Sequence, residues 1–310
     1  MENNVGLSGR KKAVALFKWS LRKNLPFSIA YWILLFLSFP IIEIFAMIVC
    51  GTQQNLGMES YIKDMKEVCE YLPAIFFVAF AIIFSIIMAI MSFSYMHNKR
   101  SVDLFGSYPI SRRTLFFVRY FSTLVLCIVP MIIIGSVGAI LGLSDVALIE
   151  SFKVIGILTV TIIGNVSFIA MISLCCGTVA DVLISYVVIS AIYPICVLIG
   201  VLFPQSVIPG LAVSEIPSTV LTFLSPAASF YTCKFGSGSG LGIAWWICLS
   251  VVLMAASFVL CKQRKAESAQ NAFAFSIVEI IIKFFTCFAT GFGVGYMCSF
   301  LGDDSCKAQY

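Results

Sequence analysis

The chain has 310 residues, of which 60% are hydrophobic and only 11% charged, with a formal net charge of +5 and a mean hydropathy of +1.03. Soluble domains average about 45–50% apolar and about 25% charged residues, so a globule of this composition would expose large contiguous apolar patches to water. A soluble enzyme, a disordered tail and a fibrous protein are excluded, and the composition is that of a polytopic, all-α transmembrane helical bundle.

Residues 10–24 carry Val14, Phe17 and Leu21 at helical spacing among lysines and arginines. This pattern reads as an amphipathic helix on the inner leaflet, making 1–24 a cytosolic segment before the membrane domain at 25–302. The alternative is a basic flank without fixed structure. The first apolar run, 26–48, is too long for a signal peptide and lacks a small-residue cleavage site. Within it Glu43, after Pro40, is either a substrate or gate contact or the interfacial end of the span.

Further runs fall at 72–94, 119–142, 154–176, 182–203, 242–261 and 280–301, each near the twenty residues that a span needs. In lipid the backbone must satisfy its own hydrogen bonds, so continuous runs of this kind are helices. A barrel would show alternating ten-residue segments instead. Seven spans are therefore expected, or six with a terminal hairpin cut short, followed by a tail at 303–310.

The loop at 95–118 is patterned. Ser101 is expected to cap a short helix with Asp103 early in it, which Gly106 and the Tyr108–Pro109 pair would end. Ser111 is expected to cap the next helix, starting with Arg112 and Arg113. Between the fourth and fifth runs Asp181 is expected to cap a tight turn. The segment 204–241 holds Pro204, Pro209, Pro217 and Pro226 with few charges, and reads as broken helices dipping into the outer leaflet. There Pro209 and Pro217 are candidate gate positions. Glu279 and Lys283 stand four apart, in the favourable order for a helical ion pair. Glycines 135, 138, 142, 291 and 295 are candidate close-packing positions.

Orientation follows from the basic residues. Fourteen of them (Arg10, Lys11, Lys12, Lys18, Arg22, Lys23, Lys99, Arg100, Arg112, Arg113, Arg119, Lys262, Arg264 and Lys265) fall on one side. The other side has Lys63, Lys66, Lys153, Lys234 and Lys307, mixed with carboxylates. The N-terminus is thus expected in the cytosol, and the clusters serve topology rather than nucleic acid.

Most of the twelve cysteines lie in or beside apolar runs, where a thiol behaves as a small hydrophobe. A Cys50–Cys69 bridge across the first outer loop stays open. His97 is the only histidine, and no metal-ligand spacing occurs. A phosphate loop of the G-x-x-x-x-G-K-[ST] type is absent, so the chain is expected neither to hydrolyse ATP nor to be an enzyme.

Three stretches carry a resemblance. They are Phe17-Lys18-Trp19 with Leu21-Arg22-Lys23-Asn24, then Lys99-Arg100-Ser101-Val102-Asp103 with Tyr108-Pro109-Ile110-Ser111-Arg112-Arg113-Thr114-Leu115, and Arg264-Lys265-Ala266-Glu267-Ser268-Ala269. The sequence resembles the membrane (permease) subunit of type-2 ABC transporters, exporter-type permeases of bacteria, and looks most like a low-GC Gram-positive subgroup. The resemblance implies a connecting helix at the N-terminus, a coupling helix within 98–113 and an outer re-entrant hairpin at 204–241. It implies that Lys99, Arg100, Ser101, Val102, Asp103, Leu104, Phe105, Pro109, Arg112 and Arg113 meet an ABC-type ATPase subunit, with Phe105 as the anchor. ATP and Mg would be held by that partner and no cofactor by this chain. A second permease chain, identical or different, would complete the path through the bacterial plasma membrane. The subgroup carries an eighth span after the seventh, and glycine where Gln270 stands. Two other readings remain: a secondary transporter, which would need several mid-membrane charges, and a non-transport assembly or sensor protein, which would not need the capped second-loop helix.

Overall fold

The computed structural model describes residues 8–42, 44–45, 48, 59–107, 110–141, 145–197, 225–226, 229–235 and 239–264, with short helical pieces between 279 and 295. Among these residues every element is helical. In order they are α1 (Ser8–Phe36) with a π-helical turn at Leu37–Ile41, α2 (Glu59–Phe93) closing in a 3-10 turn at Ser94–Met96, α3 (Lys99–Gly106), α4 (Arg112–Leu141), α5 (Asp145–Cys175), α6 (Val179–Val197), α7 (Ser229–Phe235) and α8 (Ser239–Gln263).

Five stretches are long and apolar enough to cross a membrane: Lys11–Ile41, Ala74–Met96, Arg112–Leu141, Leu148–Cys175 and Gly240–Gln263. They coincide with the expected runs at 26–48, 72–94, 119–142, 154–176 and 242–261. The run expected at 182–203 falls on α6, of which the apolar stretch Val179–Ala191 is described in full. The run at 280–301 lies mostly outside the described residues, as do Glu43, Tyr108, Pro109, Pro209, Pro217, Gly142, Gln270, the tail 303–310 and most of 204–241. Neither Cys50 nor the Cys69 side chain is described.

Helix α5 is the axis of the bundle and packs on α2, α4, α6, α7 and α8. Its Leu158, Ile162, Val166 and Ile169 are fully buried at helical spacing, while large apolar side chains such as Ile83, Ile140, Leu183 and Val251 point outward. An apolar exterior of this extent suits hydrocarbon and not water.

Helix α1 runs unbroken from Ser8 through residue 24 and through Pro26, so among the described residues the expected amphipathic stretch and the start of the first span share one helix. Its bundle face is made of small polar residues: Ser20, Asn24 and Ser28 are buried together with Tyr31 and Leu35. Val14, Leu25, Phe27, Ile29 and Ile33 are exposed. Lipid is as apolar as a leucine side chain, so helices in a membrane gain most where small residues let backbones approach and hydroxyls bond across. Ser20 does this with Ser122 of α4, hydroxyl to hydroxyl at 2.7 Å.

The π-helical turn surrounds Pro40. Proline has no N–H to give and its ring crowds the carbonyl four residues back, a conflict that a widened turn relieves. The turn swings Phe39 against Phe77 of α2, with ring centroids 5.2 Å apart, and against Gly138 of α4. Gly135 sits equally close to Ile155 and Phe77, so two of the expected glycines mark real approaches. Gly291 and Gly295 meet nothing among the described residues.

Candidate functional site

The basic residues from four helices converge at one end of the bundle, and α3 lies there. Asn98, not Ser101, starts it: the Asn98 side chain accepts the Arg100 amide at 3.1 Å, and its carbonyl accepts the Val102 amide at 2.9 Å. Asn98 is as good a cap as serine and stands one residue before Lys99. The helix therefore starts earlier than expected and Asp103 falls beyond its first turn. The expected end holds at Gly106. Ser107 closes it, its amide bonding to the Asp103 carbonyl at 3.1 Å and its hydroxyl to that of Leu104 at 2.8 Å. Ser111 caps α4 as expected, accepting the Thr114 amide at 3.2 Å. In the turn before α6 the cap is Thr178, not Asp181. Its hydroxyl accepts the Asp181 amide at 3.2 Å and donates to the Asp181 carboxylate at 2.5 Å.

No residue of α3 is buried. Lys99, Arg100, Asp103 and Leu104 are exposed, and Leu104 is the large apolar side chain of that outer face. Ser101, Val102 and Phe105 turn inward and are half-buried. Phe105, expected as the partner anchor, also has contacts of its own. Its ring packs edge-on against Tyr95 at 5.4 Å and Trp19 at 5.9 Å, inside its own chain.

The three rings surround a cation. The Arg119 guanidinium lies 4.8 Å from the Trp19 ring, 5.2 Å from Tyr95 and 5.4 Å from Phe105, and Arg119 is only 1% exposed. Its Nε and Nη2 have no hydrogen-bond partner among the described residues. The attraction of the ring faces thus takes the place of a counter-ion. Arg119 belongs to α4, Trp19 to α1, Tyr95 to the end of α2 and Phe105 to α3, so this one side chain joins four elements. The sequence reading placed Arg119 among the topological charges. The missed signal is its position seven residues after Arg112, two turns inside a helix.

Arg112 and Arg113 are turned toward α8. Arg112 donates to the Arg264 carbonyl at 3.3 Å, and the Arg113 guanidinium stacks 4.4 Å from Phe258. Arg264 in turn donates to the Met96 carbonyl at 3.1 Å and to the Ser173 carbonyl, tying the ends of α2, α5 and α8 together. Under α3, between these anchors, is a cavity of about 350 Å³ lined largely by apolar side chains, among them Leu16, Val102, Phe105, Ile110, Leu115 and Leu174.

His97 lies beside α3 and is 6% exposed. Burial, reinforced by the nearby Arg264 cation, pushes its imidazole down to about 4, against a hydrogen bond to the Gly177 backbone and the Asp181 carboxylate. Among the described residues no group of three or more His, Cys, Asp or Glu is placed to hold a metal. The expected ion pair Glu279–Lys283 is formed at 2.5 Å on an exposed surface.

Comparison with known proteins returned no match from the models of protein families, from curated proteins or from solved structures.

Proposed function

We propose that the chain is the membrane permease subunit of an ATP-driven, type-2 ABC exporter in the bacterial plasma membrane, with the basic end of the bundle in the cytosol. In this reading a separate ATPase subunit binds ATP and Mg and docks on α3. A second permease chain, identical or different, faces this one across the substrate path, and the chain itself carries out no covalent chemistry. The candidate gate positions Glu43, Pro209 and Pro217 belong to the same proposal.

The observation that carries the reading is the construction of α3. It is capped at both ends, outward-facing with Lys99, Arg100, Asp103 and Leu104, and fastened inward through Phe105 to the Trp19–Tyr95–Arg119 cluster. A helix held in this way can pass a push on its outer face to α1, α2 and α4 at once, which is the requirement for coupling two states of a bundle. A topological loop needs its charges but neither the caps nor the aromatic fastening. Leu104 replaces Phe105 as the partner anchor, since anchors are apolar groups exposed before binding and surrounded by polar neighbours.

The test is purification of the tagged chain from its native cells, with any co-purifying ATPase identified by mass spectrometry. Leu104→Asp is expected to leave insertion intact and to weaken ATPase retention at least about tenfold, the loss of one apolar interface anchor. A purified complex without any ATPase, or full retention with Leu104→Asp, would overturn the reading.

A further inference from the structure

The cavity under α3 lies at the level where the spans end. Leu115 belongs to the first turn of α4, and Leu174 and Cys261 belong to the last turns of α5 and α8. All three are buried. Arg112, which starts α4, and Arg264, which follows α8, line the same cavity. The apolar part of the wall is thus built from span ends and the charged part from their flanks. The volume of about 350 Å³ is at the small end of ligand pockets, which run from about 300 to 1,000 Å³ with mostly apolar walls and a few placed polar groups. It suits one short chain and not a two-tailed lipid.

The charges around this cavity do not cancel. Arg112 is exposed and uses one N–H on the Arg264 carbonyl, at 3.3 Å, out of the five that a guanidinium carries. Arg264 donates to the Met96 and Ser173 carbonyls, which satisfies its hydrogen bonds but supplies no counter-ion. With Arg113, these two are the charged groups that act on the Cys261 thiol in the wall, and no carboxylate is among them. Asp103 of α3 is the one carboxylate on the lining, and among the described residues it forms no ion pair with either arginine. Three guanidinium groups against one carboxylate leave the site electropositive.

We propose that this cavity binds a single-chain amphiphile with a singly charged anionic head, a fatty-acid carboxylate, its chain against Leu115, Leu174 and Phe105 and its head on the free fork of Arg112. A planar guanidinium matches a carboxylate with two parallel hydrogen bonds. Asp103 on the same lining repels a second negative charge, so a carboxylate fits better than a phosphate dianion. Arg264 holds Arg112 in place through its carbonyl and adds its field to the head. The site rests on its own residues and is independent of the transport reading.

The test is photo-labelling of the full chain in phosphatidylcholine nanodiscs, at alkaline pH, with dodecanoate that carries a diazirine near the end of its chain. Labelled residues are mapped by mass spectrometry, and the outward-facing Ile140 and Val251 serve as the internal reference for chains dissolved in the bilayer. Label is expected on Leu115 and Leu174. Unlabelled dodecanoate should displace it at a concentration about tenfold or more below that needed with dodecanol, the effect of hydrogen bonds to a charged group. Arg112→Gln, at an exposed position and checked for a single species on size exclusion, is expected to bring the two competitors to within about threefold of each other. Label confined to the outward-facing residues overturns the proposal. So does dodecanol displacing the label as well as dodecanoate, or a preference for dodecanoate that is unchanged in Arg112→Gln.

Discussion

The Arg119 guanidinium lies 4.8 Å from the Trp19 ring, a contact between a basic residue of α4 and an aromatic of α1 that are 100 positions apart in the chain. It converts a charge that would be costly to bury into the joint of the basic end. Desolvated cation–π contacts contribute about 2 kcal/mol or more each to stability. Arg119→Met, which keeps the bulk and removes the charge, is expected to lower thermal stability in detergent by the equivalent of about 2–4 kcal/mol. Arg119→Lys should restore only part of it, because an ammonium lacks the flat face that stacks between rings. Unfolding monitored by size-exclusion chromatography after heating checks this; an unchanged midpoint in Arg119→Met would remove the joint.

Among the described glycines, Gly138 has the closest neighbour. A Cβ there would come within 2.1 Å of Phe39 Cδ1, so Gly138→Ala is expected to destabilise by roughly 1–3 kcal/mol, the usual range for overpacking. Phe39→Leu in the same chain should recover much of that loss, a coupling that a double-mutant cycle measures. Gly156→Ala, exposed on α5 with nothing within 4 Å among the described residues, serves as the comparison without a clash.

These two sites mark the boundary of what can be read from the sequence. The apolar runs at 72–94 and 242–261, the end of α3 at Gly106 and the cap at Ser111 are local matters of hydropathy and backbone chemistry, and they are legible. The start of α3 turned on a choice between two good caps, Asn98 and Ser101, which only the geometry decides. The burial of Arg119 depends on three rings from distant segments, and nothing local announces it. The bundle face of α1 is hidden for a different reason. In a membrane the apolar side of a helix faces out, so a periodicity sought as in a soluble helix gives the opposite face from the packed one.

His97 makes stability depend on pH in a definite direction. An unfolded histidine takes up its proton near 6.5, whereas His97 in the fold does so at about 4. Between those values the unfolded chain binds more protons, so stability falls as pH drops from 6.5 toward 4, by up to ~3 kcal/mol across the window. Above 6.5 the contribution is fully present and constant. His97→Gln should flatten this part of the profile, measured as denaturation midpoint against pH. An equal slope in both chains would mean that His97 is not held neutral.

The direction of the bundle is open to a simple check. Single cysteines at Ser107, next to α3, and at Lys153, exposed on α5, are to be introduced into a cysteine-free background. With the basic end in the cytosol, an impermeant thiol reagent should label the second and spare the first in intact cells. Equal labelling of the two would undo the orientation and the docking surface with it.

The buried serines and asparagine of α1 bear on the order in which the bundle assembles. A free α1 in the bilayer would present Ser20, Asn24 and Ser28 to hydrocarbon, and for Ser20 the matching hydroxyl is on Ser122, which the ribosome makes about a hundred residues later. Insertion of α1 and its final seating are therefore separate events. Until α4 is made, Ser20 lacks that partner, and the polar face of the first helix gains its full complement only when the two helices pack.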